Sequence, residues 1–377
     1  MKKWLLAWGI LCFSMTAHAQ SESDDNNNQR DSHDYIVTLV RHGDRSPRYP
    51  LNPELWPMGP GEMTDIGFKQ CYEAGKHFRR TQLQADFPSH WNPELSYHQA
   101  RGLDRTIQCA TTMLQAIYPD SLKTGSGNEF AAVPPVYAYP LQDDYFLGFS
   151  QICTGFKALI GELQKSPLWQ KKAEEMGLDR IRFWAKQSGN KPTLHAMMGL
   201  ADALHIRKLH NLPMPEFLTL RDEQQLEDLI DWFMSQMSKD RRIVQLANQH
   251  LMKAIDQRYQ QYQSCLESGR TACEYFYLLS VSDGNILALM TALGSPRESN
   301  VPYTSMLTLR FSASNKTVQA SLNDEPLALS CGKTCSLEQW GELVASVQSS
   351  DWSALCQLKE SETHLTPDIS TGTKKEK

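Results

Sequence analysis

Residues 34–47 read DYIVTLVRHGDRSP, and the rest of the chain can be organised around this segment. Its first half, residues 36–40, is a short apolar run rich in β-branched side chains, which is typical of a buried strand in a parallel sheet. The run ends abruptly at a polar stretch with two arginines and one histidine, namely Arg41, His42, Gly43, Asp44 and Arg45. Since ligands of an open α/β sheet bind beyond the carboxyl ends of its strands, the sequence predicts a ligand site here.

This polar stretch has the chemistry of a phosphate site. An arginine presents a rigid fork of donors that matches phosphate oxygens, and Arg41 and Arg45 lie on either side of His42. Neutral imidazole is a nucleophile near neutral or mildly acid pH, so His42 can attack phosphorus. Gly43 lets backbone approach a ligand closely. The alternative is a basic surface loop with a solvated histidine, which the combination of a strand and the full RHGDRSP run disfavours.

The segment resembles the signature of the histidine acid phosphatases, the acid phosphatase and phytase branch of the histidine phosphatase superfamily. That signature is a strand followed by Arg-His-Gly-x-Arg-x-Pro, and this chain matches it through Pro47. Residues 63–67, MTDIG, resemble the family's Leu-Thr-x-x-Gly, and residues 210–213, HNLP, match a piece of its helical cap. The resemblance extends from Tyr35 to Cys356.

The resemblance implies an α/β fold, with a three-layer core whose mostly parallel central sheet is flanked by helices, plus an inserted helical cap domain. The residue pattern agrees, because strand-like runs disappear after about residue 143 and helical periodicity continues to about residue 262. We therefore assign residues 34–142 and 263–360 to the α/β catalytic core and residues 143–262 to the cap.

Two further strands are predicted at residues 95–100 and 275–281, and each is followed by candidate site residues. Arg105 comes after the first of them, in an N-terminal helical turn whose free backbone N–H groups favour anions. Ser282 and Asp283 follow the second directly. The resemblance assigns Arg105 the role of a third phosphate-binding arginine, and a surface arginine paired with its acidic neighbour is the alternative.

The pair Ser282-Asp283 departs from the family, which has His-Asp at this place. The mechanism implied by the resemblance uses His42 as the nucleophile, which forms a covalent phosphohistidine, and Asp283 as the proton donor. Ser282 can donate one hydrogen bond to a phosphate but carries no positive charge, so we expect slow turnover that Ser282→His would accelerate. A helix N-cap is the alternative role of the pair.

We therefore expect an acid phosphatase that hydrolyses phosphate monoesters with broad specificity. Its optimum should be acidic, because Asp283 must be protonated beside arginines that favour its anion. Two alternatives stay open, a non-catalytic or weakly active homologue that binds a phosphate ligand, and a phytase. Inositol hexakisphosphate requires a wide basic pocket, and the loop of residues 47–60 contributes Arg48 as its one base. Neither a cofactor nor a metal site is predicted.

The two ends of the chain are predicted to lie outside the fold. Residues 1–19 have the positive start, apolar middle and A-x-A end of a signal peptide, and the apolar part is too short to span a membrane. Residues 20–33 are predicted to form a disordered leader and residues 361–377 a loose polar tail. We expect an exported protein, periplasmic or secreted, whose oligomeric state is left open between monomer and homodimer.

The charge of the chain points to a small anionic partner. The formal net charge of the 377 residues is −5, and it becomes −7 when Lys2 and Lys3 leave with the signal peptide. An acidic chain without a basic stripe is a poor nucleic-acid binder. The arginines around His42 therefore suit a small phosphomonoester. A cytosolic phosphoglycerate mutase is disfavoured by the export signal.

Eight of the nine cysteines follow the signal segment, and an even count in an exported chain implies disulfides. Cys331 and Cys335 are close enough in sequence to close a local loop. The family resemblance adds a bond between Cys153 and Cys356. The remaining four residues suggest two pairs, Cys265–Cys273 and Cys71–Cys109. Two buried free thiols are the alternative for the last pair.

Overall fold

The computed structural model describes residues 33–121, 133–270, 272–349 and 351–357. The predicted signal peptide and the predicted polar tail lie outside the described residues, as does the predicted leader apart from His33.

A mixed sheet of seven strands forms the centre of the described part of the chain. The strands are β1 (Tyr35–Arg41), β2 (Ser96–Ala100), β3 (Phe276–Val281), β4 (Met306–Ser312), β5 (Thr317–Leu322), β6 (Glu325–Leu327) and β7 (Cys335–Ser336). Their order is β2-β3-β1-β4-β5-β6, with β7 paired to β5. The three predicted strands, β1, β2 and β3, are parallel neighbours.

The other half of the sheet differs from the mostly parallel sheet that was expected. From β1 onward, β4, β5, β6 and β7 pair in antiparallel fashion. For the pairs β4–β5 and β5–β6 the physical reason is their short connection, since a tight turn can join antiparallel neighbours whereas parallel ones require a long crossover. The sheet is therefore mixed, and the candidate site lies at its parallel half.

Helices surround the sheet and fill the connection between β2 and β3. They are α1 (Asp65–Thr81), α2 (Asp104–Ile117), α3 (Phe149–Ile152), α4 (Thr154–Lys165), α5 (Pro167–Met176), α6 (Leu178–Ser188), α7 (Leu194–Leu209), α8 (Leu220–Lys239), α9 (Arg241–Glu267), α10 (Asp283–Ala292), α11 (Leu337–Ser346) and α12 (Trp352–Cys356). Short 3-10 helices cover Pro53–Leu55 and Leu141–Asp143. The predicted boundary at residue 262 falls within α9, and the division into core and cap stays a prediction.

Helices on both faces explain why the central strands are buried along their whole length. Every residue of β1 and β3 is buried, as expected for strands covered on two sides. On one face, Phe276 of β3 stacks on Phe78 of α1. On the other face, Tyr35 of β1 packs against Tyr259 of α9. The predicted α/β core with helices flanking a central sheet is confirmed.

The described chain contains four disulfides, two between distant segments and two that close short loops. The four pairs are Cys71–Cys109, Cys153–Cys356, Cys265–Cys273 and Cys331–Cys335. The first pair connects α1 to α2, so the free-thiol alternative for these two cysteines is wrong. Of the helices in the described ranges, none is long and apolar enough to cross a bilayer.

Candidate active site

The parallel strands bring three chain segments together at one edge of the sheet. Each segment continues past its strand, and backbone hydrogen bonds hold neighbouring continuations side by side. His42 N donates to Val281 O at 3.1 Å, and Arg101 N donates to Ser280 O at 2.9 Å. The residues that follow β1, β2 and β3 are therefore fixed relative to one another by the sheet itself.

Two glycines allow the loop after β1 to pack on α1. A Cβ on Gly43 would lie 2.3 Å from Gly67 O, and a Cβ on Gly67 would lie 2.1 Å from Asp44 O. Any side chain at either position would displace the loop from the helix. Gly43 therefore allows close approach to a second backbone segment, and its predicted close approach to a ligand stays a prediction.

His42 is buried at the centre of the site, with 3% of its surface exposed. Its Nδ1 pairs with Gly43 O at 2.8 Å, and its Nε2 lies 3.1 Å from Arg105 Nε. Because a guanidinium only donates hydrogen bonds, Nε2 accepts from Arg105 and the ring proton is on Nδ1. Burial, followed by the charges of Arg105 and the two motif arginines, holds the pKa of His42 well below its ordinary value. The ring is neutral, with an unprotonated Nε2.

The two motif arginines are each paired with a carboxylate. Arg41 Nη2 lies 2.9 Å from Asp283 Oδ2, and its guanidinium carbon lies 4.3 Å from the centre of the Tyr303 ring. Arg45 donates to Asp202 of α7 through both terminal nitrogens, at 3.0 and 2.9 Å. A phosphate would use the same bidentate geometry. Asp202 therefore occupies the fork of Arg45 in the free protein.

Arg105 lies in the first turn of α2, as the sequence predicted, and has neutral partners. It donates to His42 Nε2 and, at 3.2 Å, to Gly61 O. Burial, followed by the charges of Arg45 and Arg101, lowers the pKa of Arg105 to about 9. This cation is therefore surrounded by other cations, and an anion bound here would stabilise it.

Ser282 is the N-cap residue of α10, so the cap alternative describes its backbone position. Its hydroxyl accepts a hydrogen bond from Arg101 Nη1 at 3.0 Å, and Arg101 Nη2 donates to Ser150 Oγ at 3.0 Å. Burial lowers the pKa of Arg101 to about 10. Arg101 was not among the predicted site residues, although its place directly after a predicted strand was a usable signal.

Asp283 forms the first turn of α10 and is held by Arg41 and Asn300. Burial raises the pKa of Asp283, but the charge of Arg41 and a hydrogen bond from Asn300 Nδ2 at 3.2 Å outweigh it. The pKa therefore lies well below its ordinary value, and the carboxylate is ionised in the free protein. Asn300 lies in the loop before β4 and carried no signal in the sequence.

A further contact connects the loop after β1 with the segment that follows α7. Asp44 is fully buried and lies 2.7 Å from His210 Nε2, and it also accepts a hydrogen bond from the Thr64 hydroxyl. Trp56 packs edge-on against the His210 ring, with centroids 5.1 Å apart. The HNLP sequence at 210–213 therefore supports the loop that carries the candidate nucleophile.

A cavity of about 610 Å³ opens from Arg41, Arg45 and Asp283 toward the helical segment. Its other charged and titratable wall residues are Arg48, His195, Asp202, His205, Glu227 and Asp231. Its apolar wall includes Tyr49, Met198, Leu209, Ile230, Phe233 and Met234. The cavity has room for an organic group attached to a phosphate. Among the described residues, no group of three or more His, Cys, Asp or Glu is arranged to hold a metal ion.

Comparison with known proteins finds two groups of similar chains. The chain is 26% identical over 347 residues to the lysosomal acid phosphatase of Bos taurus, covering 86% of this chain and 80% of that protein. It is 28% identical over 356 residues to the prostatic acid phosphatase of Homo sapiens, covering 86% and 88% respectively. No protein-family model matches the chain.

The solved structures that resemble this fold include two phytases. The phytase of Citrobacter braakii is 15% identical, with a TM-score of 0.56 over 86% of this chain and 99% of that chain. The phytase of D. castellii is 13% identical, with a TM-score of 0.57 over 86% and 81% respectively. At this level of identity the likeness concerns the fold.

Proposed function

We propose that the chain is a histidine acid phosphatase, as its similarity to named acid phosphatases supports, and that it hydrolyses phosphate monoesters through a covalent phosphohistidine. The observation that carries the proposal is the neutral ring of His42, whose unprotonated Nε2 accepts a hydrogen bond from Arg105. A nucleophile must be deprotonated, and preorganised cations must surround the charge that develops. Arg41 and Arg45, on either side of His42 in the motif, add two such cations.

In the proposed reaction, the phosphate binds among Arg41, Arg45 and Arg105, which stabilise the charge on its equatorial oxygens. The lone pair of His42 Nε2 forms a bond to phosphorus while the bond from phosphorus to the alcohol oxygen breaks. Asp283 gives a proton to the departing oxygen. Water then attacks phosphorus and gives a proton to the Asp283 carboxylate while the bond from phosphorus to His42 Nε2 breaks, so inorganic phosphate leaves with both residues restored.

The contacts of the free protein explain how Asp283 obtains its proton. A phosphate anion on Arg41 weakens the attraction that keeps Asp283 ionised, so the pKa of Asp283 rises when substrate binds. A substrate monoanion brings a proton into the site, and the second pKa of a phosphate monoester is about 6. The expected acidic optimum then follows from the substrate as much as from the carboxyl group.

The cavity wall favours monoesters over inositol hexakisphosphate. It includes Glu227 and Asp231, and carboxylates repel the additional phosphates of a highly phosphorylated ligand. Arg48 supplies one further guanidinium on this wall. We therefore retain the acid phosphatase as the proposed function and regard the phytase as disfavoured.

We also propose that the protein is exported. The signal-peptide pattern of residues 1–19 supports this. Four disulfides in the described chain suit an oxidising compartment. Relatives that carry the name lysosomal acid phosphatase support it further.

The test of the proposed function is His42→Ala, with His90→Ala as its control. His90 is an exposed loop residue before β2 and has no place in the site. We expect His42→Ala to release no phosphate from nitrophenyl phosphate at mildly acid pH, because its nucleophile is gone, and His90→Ala to match the wild type. Mass spectrometry after an alkaline quench should find phosphate on His42 of the wild type. Wild-type turnover by His42→Ala would contradict the proposal.

A further inference from the structure

We infer that Arg101 is a positioning residue for phosphate transfer. It orients the Ser282 hydroxyl toward the phosphate. Through that hydroxyl, its guanidinium also supplies the positive charge that serine lacks. The inference rests on the proposed phosphatase function and adds a residue to it. Arg101 and Ser282 together would then replace a single histidine at this corner of the site.

The position of Arg101 is fixed by the sheet. It directly follows β2, and its backbone N donates to Ser280 O, two residues before Ser282. Its side chain is 5% exposed. One terminal nitrogen donates to Ser282 Oγ and the other to Ser150 Oγ, each at 3.0 Å. Its Nε is buried without a hydrogen-bond partner in the described chain.

The chemistry of the contact sets the direction of the serine hydroxyl. A guanidinium has five donors and no acceptor, so Ser282 Oγ must accept from Arg101. The hydroxyl keeps one hydrogen, which is free to donate elsewhere. Hydrogen bonds in which a partner is charged are about twice as strong as neutral ones, and they polarise the next bond in a chain. A phosphate oxygen beside Ser282 would therefore receive a strengthened hydrogen bond.

Arg101 forms no ion pair within the part of the chain that the structure describes. Its hydrogen-bond partners are hydroxyls, while Asp144 and Asp283 attract it without forming an ion pair in the described residues. A buried charge without a paired partner is costly unless something compensates it. A phosphate bound beside Ser282 is an anion that would compensate it. The bound phosphate would thus balance the charge of a second buried arginine beside Arg105.

The presence of Arg101 changes what is expected of Ser282→His. The sequence alone predicted that this substitution would accelerate turnover. A histidinium at position 282 would now face the guanidinium of Arg101, and like charges at this distance disfavour its protonation. We therefore expect Ser282→His alone to give no gain in turnover over the wild type. The double variant Ser282→His with Arg101→Ser should turn over faster than Ser282→His alone.

The experiment compares kcat, KM and inhibition by inorganic phosphate for three single variants. Arg101→Met should lower kcat by about 10²-fold or more, as for the loss of one preorganised donor, and should weaken inhibition by phosphate. Arg101→Lys keeps the charge and should recover at least about tenfold of that loss. Ser150→Ala removes the matched hydrogen bond on the other nitrogen and should stay within about threefold of the wild type.

A double-variant cycle separates positioning from a merely structural role. If Arg101 acts through Ser282, the loss caused by Ser282→Ala should be at least about fivefold smaller in the Arg101→Met background. Additive losses, or an Arg101→Met enzyme as active as Ser150→Ala, would overturn the inference while His42→Ala stays inactive. A wild type that releases no phosphate would instead overturn the proposed function. If Arg101→Met fails to fold, the turnover of Ser282→His is compared with that of the double variant Ser282→His with Arg101→Ser. Faster turnover by the double variant supports the inference, and equal or slower turnover overturns it.

Discussion

The two walls of the site differ in how the fold builds them. The strand-edge wall consists of the residues that directly follow parallel strands, and His42, Arg101 and Ser282 are its fixed points. Hydrogen bonds between neighbouring backbone segments set their spacing. The helical wall consists of residues from α7, α8 and the segment after α7, of which Asp202 and His210 contact the motif loop through side chains. We expect the first wall to perform the chemistry and the second to regulate how tightly phosphate is held.

The largest effect outside His42 should come from the strand-edge wall, at Asp283. Asp283→Ala should lower kcat for an alkyl phosphate by about 10²- to 10⁴-fold, the usual cost of losing a general acid. The loss should be much smaller for a nitrophenyl ester, whose acidic phenol departs with little protonation. Asp65→Ala is the control, because Asp65 opens α1 as Asp283 opens α10 but lies outside the site. An equal loss of kcat on both esters would mean that Asp283 acts only at the start of α10 and not as a general acid.

The strand-edge wall could be predicted from the sequence because a local pattern defines it. Polar residues that directly follow an apolar run are candidate site residues, and this rule predicts His42 and the pair Ser282-Asp283. The same rule also finds Arg101, which follows the predicted strand at 95–100 directly. The family pattern drew the prediction to Arg105 instead, four positions later.

The helical wall could not be predicted in this way. Asp202 pairs with Arg45 across a sequence separation of 157 residues, and no periodicity relates the two positions. The contact exists because α7 packs over the loop after β1, and that packing depends on the whole helical segment. Asn300 reaches Asp283 for a similar reason, from an irregular loop. The HNLP sequence could be recognised, but its contact with Asp44 required the structure.

The pH dependence of kcat/KM should show that the strand-edge wall is already in its working charge state. The pKa values of His42 and Asp283 both lie well below their ordinary values, so one is neutral and the other ionised at mildly acid pH. The remaining proton must come from the substrate monoanion. We expect kcat/KM to fall about tenfold per pH unit above the second pKa of the ester, near 6.

Two esters with different second pKa values provide the measurement for this pH prediction. The basic limb of each profile should move with the ester. A limb at the same pH for both esters would assign the proton to a group of the protein and would contradict the charge states that the structure gives to His42 and Asp283.

The smallest effect, and one of opposite sign, is expected in the helical wall. Asp202 occupies both terminal nitrogens of Arg45, which a phosphate would also use. Asp202→Asn removes the competing negative charge and keeps one acceptor oxygen. Inorganic phosphate should therefore inhibit this variant about two- to fivefold more strongly, the range of a partly exposed ion pair, while kcat changes little.

The chain offers a matched control for Asp202→Asn in a second bidentate pair. Asp222 accepts hydrogen bonds from Arg180 through both carboxylate oxygens, within the helical segment and away from the lining of the cavity. Asp222→Asn should lower the midpoint of thermal unfolding, since Asp222 also belongs to the capping box of α8, and should leave phosphate inhibition unchanged. Weaker phosphate inhibition in Asp202→Asn would mean that the carboxylate holds Arg45 in the position that phosphate needs. In that case the helical wall would assist the chemistry directly, and the division between the two walls would fail.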